Sequence, residues 1–371
     1  MMLKRFLFAL LPAAFAASCS VQPPLYLRES VEAKIVLETK LSVDVMWQVD
    51  WTAIWQYPWD ESSFGPVGYT EPKSMCLHIF PLDANSQVKT HIVHNFSGTV
   101  TELPITGGVH DLLFHNNDSE ALTFVNDEEH AQVHCTTREI SSGLKDSSPV
   151  MSLDQKSKTK AERVMTPEPV ILTPDPLYTL YDPARVISTR LEDYEYVDGR
   201  YLLRIGGDLY PATYIYLFQI KLDNNNERVI GSNGGCALTG LANGVDVKTR
   251  ESHTTTASIV SELHFDRSQD LMGARLICFG LPGCNPYDEK SIATAPESVH
   301  FLVLSVNYNN GTYKNIRIDV TDPLRELPLG GVIEMTLDVD DFPPEGGTSG
   351  GGFNALIDDW KKENGGTTVT N

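Results

Sequence analysis

Apolar and polar residues alternate along most of this chain, in runs short enough for β-strands and separated by Gly, Pro, Asn and Asp. The stretch "AKIVLETKLSVDVMWQVDW" alternates through Val36, Val43, Val45 and Val49, as a long or interrupted strand would. "SMCLHIFPLD", "HIVHNFSGTV", "VHDLLFHNND", "ALTFVND" and "AQVHCTTRE" follow at the spacing of an all-β sandwich. Gly107-Gly108 and Asn116-Asn117-Asp118 mark turns, and this first β region ends near Glu139. Residues 141–161 turn polar and serine-rich. Five prolines then fall in "VMTPEPVILTPDPLYTLYDPARV", which favours extended backbone. A short helix is the best helical reading of Lys158–Val164. The second β region opens near Tyr178. Ile215, Leu217, Phe218 and Ile220 predict a strand covered on both faces, "NNGT" predicts a hairpin, and "GGVIEMTLDVD" is the last clear strand.

The N-terminus departs from this pattern. Lys4 and Arg5 precede an apolar run over Phe6–Phe15, then Ala16, Ala17, Ser18 and Cys19, the layout of a secretory signal. The apolar run falls short of the about 20 residues a spanning helix needs. With Cys after the small residues, the layout resembles a bacterial lipoprotein signal in which Cys19 is acylated and becomes the first mature residue; Ala16 stands where Leu is usual. The expected divisions are a signal peptide over 1–18, a first sandwich over 19–140, a linker over 141–177, a second sandwich over 178–342 and a Gly-rich tail over 343–371.

Removing Lys4 and Arg5 leaves 27 basic against 49 acidic residues, a net charge of −22. A surface that acidic repels nucleic acid and anionic head groups, so no nucleic-acid partner is expected, and membrane attachment falls to the lipid. After Cys19 five cysteines remain, Cys76, Cys135, Cys236, Cys278 and Cys284, an odd and scattered set that reads mostly as buried thiols. Only Cys278 and Cys284 are close enough in sequence to suggest a bridge.

Chemistry-bearing motifs are scarce. There is no Gly-x-Ser-x-Gly, no His-Glu-x-x-His and no phosphate-binding Gly-x-x-x-x-Gly-Lys-Ser/Thr, so no catalytic residue and no cofactor is expected. Histidines pair in the first region (His91 and His94, His110 and His115, His130 and His134), but zinc would need three or four donors to converge, with a carboxylate such as Glu129, and no metal site is expected. Trp47, Trp51, Trp55 and Trp59 recur every fourth residue. They are expected to anchor a core, with a platform for carbohydrate as the alternative.

Taken in order, "CSVQPPLYLRE", "VDW", "FGPVGYTEP" and "GGVHDLLFHNND", then "YIYLFQIKL", "ALTGLANGVDV", "LHFD", "ICFGLPG", "FLVLSVNYNNGTYKNIRIDVTDPLRELPLGGVIEMTLDV" and "GGGFNALIDDW", resemble the fimbrillin-like lipoproteins of Bacteroidia, particularly their anchor-like branch. The resemblance implies two tandem transthyretin-like β-sandwich domains, no enzymatic activity, an outer-membrane location through the lipid, and fimbrial subunits as partners through strand addition. It also implies a maturation cut after a basic residue, for which Arg28 and Lys34 are the candidates, removing the lipid and an edge strand together. The C-terminal "KKENGGTTVTN" holds one large aliphatic residue, Val369, too few for a donor strand of a fimbrial shaft.

Overall fold

A computed structural model describes residues 34–41, 61–64, 68–125, 133–139, 168–188, 190–197 and 200–344. The described residues are all-β, with twenty strands in four sheets and only short helical turns among them. No helix among the described residues is long and apolar enough to cross a membrane.

The first sandwich is one eight-stranded sheet, seven strands in a continuous path and one beside it, folded into two layers. One layer runs β3 (Ile92–Ser97), β2 (Ser74–Pro81), β5 (Gly108–Asn116), β9 (Tyr178–Ile187). The other holds β11 (Arg200–Pro211), β1 (Lys34–Leu41) and β4 (Val100–Pro104), with β10 (Glu195–Val197) beside β11. The end of β11 joins the layers, pairing Tyr210 with Thr179 and Pro211 with Tyr178. Alternate residues of β2 and β5, Met75, Leu77, Ile79, Leu112 and Phe114, meet Leu103, Ile205 and Leu209 from the opposite layer in one core.

The second sandwich faces β16 (His264–Asp266), β17 (Leu271–Cys278), β12 (Tyr214–Asp223) and β20 (Gly331–Asp338) against β19 (Tyr313–Asp319), β18 (Phe301–Tyr308), β13 (Val229–Ala242), β15 (Thr256–Ser261) and β8 (Val170–Leu172). Its core is the larger, built on Tyr216, Phe218, Ile220, Leu238, Ile259, Leu276, Leu304 and Ile333. The parallel neighbour β20 comes alongside β12 only because residue 330 is Gly. There φ is +88°, and a Cβ would lie 2.4 Å from the Ile215 carbonyl oxygen.

A small third layer, β14 (Gly244–Asp246), β7 (His134–Thr137) and β6 (Leu122–Val125), ties the two halves together. Under it Phe80 and Leu113 of the first sandwich pack with Cys135, Val245, Ala242 and Phe279.

These pairings move the expected division. The sequence pattern places residues 178–211 in the second sandwich, but β9 is in register with β5 from Gly108↔Ile187 to His115↔Thr179, and β11 flanks β1. The first sandwich therefore runs to Pro211. Within the expected linker, Val170–Leu172 is itself a strand, parallel to β15. Cys278 and Cys284 are separate buried thiols rather than a bridge, and Cys76, Cys135 and Cys236 are buried thiols as well.

Candidate functional site

Two places in the first sandwich bear on function: the seat of β1, which leads back toward the N-terminus, and a buried cluster of imidazoles and a thiol on β2, β5 and the approach to β3.

Strand β1 is interior. It runs parallel to β11, Lys34↔Leu202 through Leu41↔Leu209, and antiparallel to β4, Lys34↔Pro104 through Glu38↔Val100. Its backbone groups are thereby engaged on both sides. Of the two candidate cut sites, Arg28 lies outside the described residues, and Lys34 is the first residue of β1. A cut after Arg28 leaves the whole of β1 in place, and a cut after Lys34 leaves Ile35–Leu41. Neither removes this strand; the segment that either cut would take away with the lipid precedes β1, and residues 19–33 lie outside the described residues. The Lys34–Ile35 bond also enters a two-sided ladder, whereas proteolysis concentrates on exposed loops.

The cluster follows from strand alternation. In "SMCLHIF" Cys76, His78 and Phe80 share the face of β2 opposite Met75, Leu77 and Ile79. Register places Cys76 across from His115 and His78 across from Leu113. The His78 ring lies between two others: Nδ1 is 2.8 Å from His91 Nε2, and Nε2 is 3.0 Å from His115 Nε2. Cys76 Sγ is 3.3 Å from that same His78 Nε2. His115 Nδ1 is 2.9 Å from the Asn116 carbonyl oxygen. A carbonyl only accepts, so Nδ1 of His115 carries the proton and its Nε2 presents a lone pair. His78 Nε2–H then donates to His115, and His91 Nε2–H donates to His78 Nδ1.

Aromatic rings enclose the cluster. Phe80 stacks on His91 with centroids 4.6 Å apart, and Phe124 stacks on His115 at 4.0 Å. Cys76 is 5%, His78 1% and His115 4% exposed. Burial in this setting, reinforced by His115 and His91, depresses His78 from 6.5 to about 3, so it is neutral at physiological pH.

Across from His115 on β9 lies Thr179, fully buried, whose Oγ1 has no hydrogen-bond partner among the described residues. Elsewhere, His134 meets His253 at 3.2 Å, and its Nδ1 is 3.9 Å from Asp246 Oδ2, in a more open position. His110 Nε2 lies 2.8 Å from the Thr106 carbonyl. His94 Nε2 is 3.1 Å from Thr101 Oγ1. The remaining buried thiols are held protonated by desolvation, with Cys236 and Cys278 pushed up to about 12.

The sequence-based histidine pairs are thus mostly separated, and the real neighbours come from different strands. Cys76 and His78, the members that sequence reasoning missed, carried a signal in their two-residue spacing on a strand. Cys19 and the tryptophans Trp47, Trp51, Trp55 and Trp59 lie outside the described residues, as do His130 and Glu129.

Residues 62–262 match the family described as a domain of unknown function, DUF5119, and the chain belongs to that family. The matched span takes in the first sandwich apart from β1 and runs well into the second. A comparison with curated proteins gives no match. Among solved structures, a candidate adhesin from Bacteroides ovatus is 14% identical, with 86% of this chain and 94% of that one covered and a TM-score of 0.49. The fimbrial anchor protein Mfa2 from Porphyromonas gingivalis is 9% identical over 82% of this chain and 90% of its own, with a TM-score of 0.39. The tip fimbrial protein Mfa3 of the same organism, in a C-terminally truncated form, is 8% identical over 82% and 95%, with a TM-score of 0.36.

Proposed function

We propose that this chain is a lipid-anchored, non-catalytic protein of the outer-membrane surface that serves in adhesion or as an anchor or accessory subunit of a fimbrium. The observation that carries the reading is the seat of β1. The strand begins fifteen residues after Cys19 and is clamped between β11 and β4. A tether of that length spans at most about 50 Å, so an acylated Cys19 would hold the first sandwich close to the membrane. Force on such a tether acts along β1 and loads its two ladders in shear, which suits a part that bears load. The ordered motif series described above supports the same reading.

Catalysis finds no foothold among the described residues. Cys76 and His78, whose contact would suit a thiol nucleophile, are buried beyond the reach of a substrate, and the other buried thiols are held protonated. Strand addition from another subunit is the proposed mode of association, with main-chain hydrogen bonds supplying affinity and alternating side chains supplying register.

Replacement of Cys19 by Ala tests the anchor. The variant should lose its acyl label and move from the membrane to the soluble fraction, and fimbrial subunits that co-purify with wild-type membranes should be released with it. A wild-type protein that carries no acyl label and is retained in membranes equally with and without Cys19 contradicts the reading.

A further inference from the structure

We propose that Cys76, His78 and His115 form a buried binding site for one thiophilic d10 metal ion, Zn2+ or Cu+, with His91 and the Asn116 carbonyl as the groups that orient the two imidazoles.

The three donor atoms, Cys76 Sγ, His78 Nε2 and His115 Nε2, lie within 4.8 Å of one another. Zinc takes nitrogen at about 2.0–2.1 Å and sulfur at about 2.3 Å, which puts tetrahedral donors about 3.3–3.6 Å apart. The spacings of 3.3 and 3.0 Å from His78 Nε2 reach that range with shifts of a few tenths of an ångström. A thiolate with two imidazoles is also a ligand set that soft Cu+ accepts.

A second observation points the same way. In metal sites the ring nitrogen away from the ion donates to a carbonyl or another acceptor, which fixes ring plane and tautomer. His115 already has this arrangement, with Nδ1–H on the Asn116 carbonyl and the Nε2 lone pair turned inward. His78 reaches it by moving its proton from Nε2 to Nδ1. His91 Nε2 then becomes the acceptor, and the His91 proton moves to its own Nδ1. The Cys76 thiol proton leaves to solvent, so one proton is released per ion bound. Without an ion, the two inward Nε2 atoms are joined by a single shared proton inside a cage of phenylalanine rings. With one, both lone pairs and the sulfur have a common partner.

The site also has a structural place. Its ligands sit on the face of the first sandwich turned toward the small third sheet, where Phe80 and Leu113 enter the core shared by both halves. An ion there would pin β2 to β5 beneath that junction.

The test uses the full chain, extracted in detergent, reduced and stripped by chelator. Co2+ is added first, because a cobalt–thiolate bond gives a near-ultraviolet charge-transfer band; Zn2+ and, anaerobically, Cu+ follow in separate titrations. The expected result is a Co2+ band saturating at one ion per chain, displaced by Zn2+ or Cu+, whichever arm binds naming the ion. The band should vanish in Cys76→Ser, and affinity should fall at least 100-fold in His115→Gln and about 10- to 100-fold in His91→Gln. His253→Gln, at the more open histidine pair, should bind as wild type. Folded wild-type protein that shows no thiolate band and gains no thermal stability from any of the three ions overturns the proposal, whatever the variants do. So does a band that survives in Cys76→Ser or depends on His253.

Discussion

Strands β2 and β12 stand at equivalent places, each interior to a sheet and each covered on both faces, yet they fill those faces differently. In β12 every position from Tyr214 to Ile220 is buried, filled by Tyr, Ile, Leu and Phe with Gln219 alone as a polar insert. In β2 one face is equally apolar, with Met75, Leu77 and Ile79, while the other carries Cys76, His78 and Phe80. The second sandwich is thus held by a continuous apolar core, and the first by a smaller core backed by a polar seam that has to remain uncharged. Burial alone does not distinguish them. What distinguishes them is that the groups buried on β2 can titrate.

Three perturbations sharpen this contrast. The largest effect should come from Phe218→Ala in β12, where a fully buried ring lies in the second core; about 3–5 kcal/mol of stability should be lost, read from urea unfolding. Acid should come next, and should act chiefly on the first sandwich. His78 is held at about 3 by burial against an ordinary value of 6.5, so the folded state favours its neutral form. Its contribution is complete above pH 6.5 and is lost as pH falls from 6.5 toward 3, at up to about 1.4 kcal/mol for each unit. His110 and His253, also lowered chiefly by burial, add in the same direction. Unfolding measured with chelator present should therefore steepen below pH 6.5, and His78→Gln should flatten that slope. An unchanged slope in a folded variant would refute this account of the seam.

The smaller effect tests how the seam is braced. Asn116, buried at the end of β5, donates to the Pro176 carbonyl and to Asp118, and accepts from the Tyr178 backbone N–H. Asn116→Ala leaves those groups without partners, and should cost about 1–3 kcal/mol in thermal or urea unfolding.

Much of the strand content was legible from alternation. The doubly covered β12, the hairpin at Asn309–Gly311 between β18 and β19, and the final β20 all lie where the pattern puts them. What alternation does not encode is which strand lies beside which. The proline-rich approach to Tyr178 reads as a break, and it is one locally, but β9 returns to pair with β5 across some seventy residues. That long-range pairing moves the boundary to Pro211. The buried cluster was missed for the same reason: Cys76 and His78 share a face by spacing, but His115 joins them only through the β2–β5 register. Pairing histidines by nearness in sequence singled out His94 and His110, which contact Thr101 and Thr106 instead.

The central claim, a surface protein anchored through Cys19 with its first sandwich intact, is tested most directly by the intact mass of the protein isolated from cells. The account predicts a dominant species that begins at acylated Cys19 and keeps residues 19–33 in front of β1, with Arg28→Ala changing the mass only by the substitution itself. A dominant species beginning at Glu29 or Ile35, recovered in detergent-resistant polymers, contradicts it, because the lipid would have been discarded and the chain would be a shaft subunit.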